Sequence, residues 1–301
     1  MKFINAAAFY KADVLIMGGD MTGKAIVPVV HLGNGTSRVS FAGRSYTLTS
    51  EPEIQEIEKL IRVNGFYPFR SNEEEVEALS QDSALRDRKF IQLMRETLER
   101  WVSIANERLA GKNISCYMTP GNDDHLEIDD MLEGGTIVAN PEGKLVHLDD
   151  GKTSREMISC GWSGPTPFDT PRECSEEELA SRIESMATQL RSPETAIFNF
   201  HDPPYNTNID YAPMLDNTLQ VQTDGGQVRM VPVGSKSVRA AIERYQPQLG
   251  IHGHIHESRG QVKVNRTVCV NPGSEYGEGI LRGAVIDLNG DKLKNVQLVA
   301  G

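Results

Sequence analysis

Four short apolar runs constrain this chain more than any other feature. Val14-Leu15-Ile16-Met17, Ile114-Ser115-Cys116-Tyr117-Met118, Ala196-Ile197-Phe198-Asn199-Phe200 and Leu249-Gly250-Ile251 read as short strands buried on both faces. Such strands belong to a parallel or mixed sheet packed under helices, so the expected class is α/β. Each run is followed within one to four residues by a side chain able to bind metal: Asp20, Asn122, His201 and His254. In an open α/β sheet the C-terminal ends of strands gather in one crevice. Four groups remote in sequence are therefore expected to meet.

The densest of these places is Gly250-Ile251-His252-Gly253-His254-Ile255-His256, where three of the seven histidines fall at alternate positions. Imidazoles two residues apart, with a glycine letting the backbone turn, can both reach a metal. Unrelated core or surface histidines are the plain alternative, and the clustering argues against it. Asp20 follows Gly18-Gly19; a capping or loop aspartate would look the same. Thr119-Pro120-Gly121-Asn122-Asp123-Asp124-His125 breaks its strand with proline and glycine and then offers four consecutive polar donors, as an Asx-type turn also would. His201-Asp202-Pro203-Pro204 places two prolines behind a histidine, which stiffens that loop. Asp202 either orients an imidazole from behind or solvates the loop. One carboxylate, one amide oxygen and two imidazoles, with His256 beside them, form a mixed donor set. It suits Mn²⁺, Fe or Zn²⁺ better than Ca²⁺ or Mg²⁺.

Composition narrows the partners. A net charge of -11 with no Lys/Arg-rich block argues against binding to nucleic acid or to an anionic membrane surface. A small phosphorylated substrate stays compatible, because a local cation outweighs the global field. Cys116, Cys160, Cys174 and Cys269 are scattered without a Cys-x-x-Cys pair, as expected of reduced thiols. No signal-like opening is present, and no apolar run approaches the roughly 20 residues of a membrane helix. A cytoplasmic protein is expected.

No repeat or linker interrupts the chain, so residues 1–301 read as a single domain with a hairpin and helical elaboration at about 34–110. There, Arg38 to Phe41 and Ser45 to Leu48 flank Ala42-Gly43-Arg44 as a hairpin, and helical patterns dominate from Pro52 to Leu109. Asn72 before Glu73-Glu74-Glu75 reads as an N-cap. Phe90, Leu93, Met94, Leu98, Trp101, Ile104, Ala105 and Leu109 trace the apolar face of a long helix, a stripe that belongs to the core. Ser175 and Glu178 have capping-box spacing. Hairpins are expected around Asp224-Gly225 and Asn289-Gly290.

Taken together, Gly19-Asp20, Gly121-Asn122-Asp123-Asp124, His201 and Gly253-His254-Ile255-His256 make the chain resemble, in order and over nearly its whole length, the calcineurin-like metallophosphoesterases. The resemblance implies a four-layer α/β/β/α sandwich with a two-metal site that hydrolyses a phosphomonoester or phosphodiester. It further implies that Asp20 bridges the metals, that Asn122, His201 and His254 complete one site, and that His256 belongs to the other. The family's opening Asp-x-His is not found before Asp13. Its absence removes two ligands of the second metal and a strand expected beside Val14 to Met17. We expect that piece to lie upstream of Met1; the alternative is a sandwich lacking its first strand, with one incomplete metal site. Many members carry a histidine where Asp123 stands, so Asp123 or His125 is expected to serve as the leaving-group acid. A non-catalytic or weakly active metal-binding protein on the same fold is the competing reading.

Overall fold

The computed structural model describes residues 2–133, 137–149 and 154–301. In chain order the elements are α1 (Lys2–Phe9), β1 (Val14–Gly18), β2 (Ile26–His31), β3 (Ser37–Phe41), β4 (Arg44–Leu48), α2 (Glu51–Val63), β5 (Tyr67–Ser71), α3 (Glu73–Gln81), α4 (Ser83–Leu109) and β6 (Ser115–Thr119). There follow α5 (Asp129–Glu133), β7 (Val138–Ala139), β8 (Leu145–Asp149), β9 (Ser154–Cys160), α6 (Glu176–Ala187) and β10 (Ile197–Phe200). The short strands β11 (Tyr211–Pro213), β12 (Thr223–Asp224), β13 (Gln227–Val228) and β14 (Met230–Pro232) precede α7 (Lys236–Tyr245). The chain closes with β15 (Leu249–Ile251), β16 (Gly260–Val264), β17 (Thr267–Asn271), β18 (Arg282–Asn289) and β19 (Lys292–Ala300). Parallel and mixed sheets under helices make it an α/β protein. No helix among the described residues is long and apolar enough to cross a membrane.

Two compact units emerge: Met1–Met21, Val102–Glu275 and Leu281–Gly301 form one, and Thr22–Trp101 with Tyr276–Ile280 the other. In the larger unit, β1, β6 and β7 form a parallel three-stranded sheet. A six-stranded sheet runs β16-β17-β15-β10-β9-β8, parallel from β17 to β9 and antiparallel at both edges. The period of two sorts its side chains by face. Phe198 and Phe200 of β10 pack with Ile158, Cys160 and Cys269 against Leu179, Ile183 and Met186 of α6 and Val238 and Ile242 of α7. Ile197, Met157, Leu249 and Val270 point the other way and join Val14 and Ile16 of β1, Tyr117 of β6, and apolar residues of the β18–β19 hairpin. β10 is thus buried on both faces because each face has its own partner, whereas in β1 only Leu15 is fully covered. Ser175 begins α6 as read from the sequence, its hydroxyl accepting from the Glu178 N–H at 3.2 Å.

The smaller unit has a sheet ordered β4-β3-β2-β5 whose core joins Val27, Val29, Val39 and Leu48 to Ile57 and Ile61 of α2. Ala42 and Gly43 both take positive φ, the geometry of a tight two-residue hairpin turn. Asn72 caps α3 as expected, accepting from the Glu75 N–H at 2.8 Å. Two strands depart from the sequence pattern. β5 interrupts a stretch that reads as helical, and it pairs in parallel with β2 over Ile26↔Tyr67 to Val30↔Ser71. Tyr-Pro-Phe-Arg-Ser has no distinctive period of its own, so a remote partner decides its state. The hairpin near Asp224 is also shorter than expected. Only Thr223–Asp224 and Gln227–Val228 pair there, while Met230–Pro232 pairs with Tyr211–Pro213.

Candidate metal centre

Parallel pairing in matched register delivers the polar loops. β1 and β6 end level at Gly18↔Thr119, so Gly19-Asp20 and Pro120-Gly121-Asn122 leave the sheet side by side. β10 and β15 pair at Asn199↔Ile251, which makes His201 level with Gly253. The Gly253 N–H donates to the His201 carbonyl at 2.9 Å. Between the two sheets, His201 Nδ1 lies 2.8 Å from the Gly18 carbonyl. Glycine is required where these loops touch: a Cβ at Gly19 would overlap the His201 ring, and one at Gly121 would overlap the Asp20 carboxylate.

Four polar groups converge here. His201 Nε2 is 3.1 Å from Asp20 Oδ2 and 3.0 Å from Asn122 Oδ1. His254 Nδ1 is 2.8 Å from the same amide oxygen. The two rings lie 5.3 Å apart, and one ligand atom from each of Asp20, His201 and His254 falls within 4.8 Å of the others. Asp20 and His254 take φ of 50° and 61°. For residues other than glycine that left-handed conformation costs about 1–2 kcal/mol, so the surrounding structure must hold it.

Donor and acceptor rules fix the rings and the amide. A carbonyl can only accept, so His201 Nδ1 donates to Gly18 and its Nε2 faces the centre. There it meets a carboxylate and an amide oxygen, both acceptors. Without a cation, that geometry is satisfied by an imidazolium. Burial pulls the His201 pKa down, but the Asp20 carboxylate outweighs burial and pushes it up to about 9. Burial likewise favours a neutral Asp20, yet His201 and His254 hold it well below the usual carboxylate range. Burial and the neighbouring His201 charge lower His254 to about 3, so its imidazole is neutral. A neutral imidazole, a carboxylate, an amide oxygen and a second imidazole in one cleft are groups that could hold a cation.

Other polar residues of these loops have different duties. Asp124 is fully buried; its Oδ2 accepts from the Gly121 N–H at 2.8 Å and the Met21 N–H at 3.1 Å, tying the two oxygen-bearing loops together. Asp123 is exposed, and its N–H donates to Asp20 Oδ1 at 3.2 Å. The His125 ring lies 3.7 Å from the Glu127 carboxylate, in its own turn. His252 stays out of the centre: its buried ring turns to the Phe200 carbonyl at 2.9 Å, and burial lowers its pKa to about 4. His256 is half-buried and lies outside the three-residue group, although its charge bears on His254. Asp202 does not reach an imidazole with its carboxylate, which accepts from the Gly164 N–H at 2.9 Å.

Four supporting residues escaped the sequence reading. Asn271, fully buried, reaches the carbonyls of Ile209, Gly253 and Ile255 at 3.1, 3.2 and 2.8 Å and so holds the histidine loop. Arg172, only 1% exposed, donates to the carbonyls of Asp124 and His125 at 2.8 and 3.0 Å. Thr170 accepts from Asn122 Nδ2 at 2.8 Å and stands 2.6 Å from a Glu173 oxygen. Nothing in the composition of the loop after β9 announced which residues it holds.

No family model matches the chain. Over 172 residues it is 33% identical to the uncharacterized protein MJ1162 of Methanocaldococcus jannaschii, an alignment covering 55% of this chain and 68% of that protein. Among solved structures it is similar to TT1561 of Thermus thermophilus, with 16% identity, a TM-score of 0.42, and coverage of 67% of this chain and 79% of that one. A further crystal structure is similar at 16% identity with a TM-score of 0.48, covering 91% of this chain and 97% of the other.

Proposed function

This chain belongs to the same family as MJ1162 of Methanocaldococcus jannaschii, and from the geometry of its centre we propose that it is a metallophosphoesterase of the calcineurin-like type on a four-layer α/β/β/α sandwich. The substrate is a small phosphomonoester or phosphodiester, cleaved by water. Asp20, Asn122, His201 and His254 would hold a divalent cation, with Mn²⁺, Fe or Zn²⁺ best matched to their donors. His256 would belong to a second cation site. When bound, the cation supplies Lewis-acid polarisation of the phosphoryl group and acidifies water for attack.

The observation that carries this reading is the Asn122 amide oxygen, which faces both His201 Nε2 and His254 Nδ1 at 3.0 and 2.8 Å while Asp20 lies against the first ring. Those contacts are hydrogen bonds while the ring nitrogens carry protons; once deprotonated, the same nitrogens, the amide oxygen and the carboxylate turn converging lone pairs toward a cation. The chain's own residues then divide the work. Gly18 fixes the His201 tautomer through its carbonyl, and the Asp123 N–H keeps Asp20 turned inward. Asp123, exposed beside Asn122, would face the leaving group. An aryl oxide departs without the proton that a more basic alkoxide needs.

Hydrolysis of an aryl phosphodiester with and without added Mn²⁺ tests the assignment. Turnover should require the cation, and His254→Ala should lower kcat/KM at least about 100-fold, the scale of losing a directly coordinating side chain (about 2.7 kcal/mol). Equal rates for the variant and the parent would rule the reading out. Stoichiometric Mn²⁺ uptake without turnover would favour the non-catalytic metal protein.

A further inference from the structure

Asn122 can present either end of its amide to the centre, and the two ends are opposite in consequence. The oxygen binds a cation; the NH₂ group repels one. The oxygen is selected by acceptors that take the NH₂ group: Asp123 Oδ1 at 3.4 Å and, much closer, the loop that follows β9. Glu173 Oε1 receives the Thr170 N–H at 3.0 Å and the Thr170 hydroxyl at 2.6 Å. Both its oxygens also face Thr166, Oε2 accepting from the Thr166 N–H at 2.9 Å and Oε1 from the Thr166 hydroxyl at 2.5 Å. A carboxylate surrounded by four donors has no proton to give. Thr170 therefore spends its single hydroxyl proton on Glu173, and its Oγ1 is left with lone pairs only. The neighbouring amide, 2.8 Å away, must turn its Nδ2 toward Thr170. Its oxygen is then forced toward His201 and His254. The same loop grips the Asn122 backbone, because the Arg172 N–H donates to the Asn122 carbonyl at 3.1 Å.

We propose that Glu173 and Thr170 are positioning residues that set the polarity of the Asn122 amide, and through it the cation affinity of the centre. The inference rests on the metal-site reading above but concerns residues that bind no metal themselves. Partners behind a metal ligand typically govern affinity by about 10- to 100-fold. Thr170 is the sharper probe, since valine keeps its shape and removes only the hydroxyl.

The test is titration of the metal-stripped full chain with Mn²⁺ alone, by calorimetry, together with the melting temperature of each metal-free variant. Thr170→Val should weaken the Mn²⁺ Kd about 10-fold or more. Thr170→Ser, which restores the hydroxyl, should return it to within about two-fold. Glu173→Gln should weaken binding too, because a carboxamide can donate to Thr170 and reverse the sense of the relay. Thr166→Val disturbs the same carboxylate without touching Asn122, and it should leave Kd within about two-fold even if it lowers the metal-free melting temperature. Parent-like Mn²⁺ affinity in Thr170→Val, with His254→Ala still abolishing binding, would overturn the relay and leave the metal site standing. Equal losses in Thr166→Val and Thr170→Val would also overturn it, by showing that loop integrity alone matters. A parent chain that takes up no Mn²⁺ would overturn the relay and the metal site together.

Discussion

The centre has an oxygen half, Asp20 and Asn122 at the ends of β1 and β6, and a nitrogen half, His201 and His254 beyond β10 and β15. The two are secured by different means. The nitrogen half is held by neutral groups: the Gly18 carbonyl takes the His201 ring, and one side-chain amide, that of Asn271, gathers the carbonyls of Gly253 and Ile255. The oxygen half depends on several side chains, two of them charged, drawn from its own loop and from the loop after β9. Asp124 fastens its two loops to each other, Thr170 turns its amide, and Arg172 holds its carbonyls. Beneath it, the Glu142 carboxylate receives the Gly161 N–H at 2.6 Å, and Gly161 packs on the Pro120 carbonyl so closely that a Cβ there would overlap it. The difference teaches that an imidazole can be fixed by one backbone carbonyl, as His201 is by Gly18, once its loop is anchored. An amide and a carboxylate must be oriented against their own tendency to rotate, and that takes further side chains.

Matched glycine substitutions probe the contrast most strongly. Gly121→Ala drives a methyl group into the Asp20 carboxylate and the His201 ring, and should weaken Mn²⁺ binding about 100-fold or more, on the scale of a lost ligand. Gly253→Ala places its methyl 3.5 Å from His201 Nδ1, an ordinary contact, and should change affinity less than about two-fold. Calorimetric titration of both variants checks this, and similar losses would erase the asymmetry.

Asn271→Ala is the corresponding blow to the nitrogen half. It removes every hydrogen bond that the amide NH₂ makes to the carbonyls of Ile209, Gly253 and Ile255, and should cost about 2–3 kcal/mol in denaturant unfolding. Its effect on folding should exceed that of Thr170→Val, because it anchors a buried loop rather than one amide. An unchanged unfolding midpoint would show that the histidine loop holds itself.

The smallest effect concerns pH. Burial pushes the Glu142 carboxyl up to about 7, and its bond from Gly161 only partly offsets this. A carboxyl with a raised folded pKa binds more protons when folded than when unfolded. Its contribution therefore falls as pH rises from the ordinary carboxylate range to about 7. Glu142→Gln removes that slope. The variant should melt near the parent at pH 5 and about 1–2 °C above it at pH 7.5, for a difference of about 1 kcal/mol at its half-buried position. The difference between variant and parent isolates this carboxyl, because the shifted His201 and His254 rings of the nitrogen half titrate alike in both.

Much of the architecture was legible in the chain. Local periodicity marked α4, the caps of α3 and α6, and the hairpins β3–β4 and β18–β19, because each is decided by neighbours in sequence. β5 was not legible, since its parallel pairing with the remote β2 decides its state. His252 shows the same limit within the centre. Its spacing matched that of a ligand, yet its ring is drawn inward by the Phe200 and Asp202 carbonyls.

By itself, the sequence determined which side chains could gather. Apolar runs buried on both faces force parallel packing, and parallel strands release their loops at one end, so Asp20, Asn122, His201 and His254 had a common destination. Only the tertiary structure decided how those groups face one another. The direction of an amide, the tautomer of a ring and the partner of a carboxylate are set by donors and acceptors that meet across a fold. Thr170 stands 48 positions from Asn122, and no local pattern can encode a hydrogen bond at that separation.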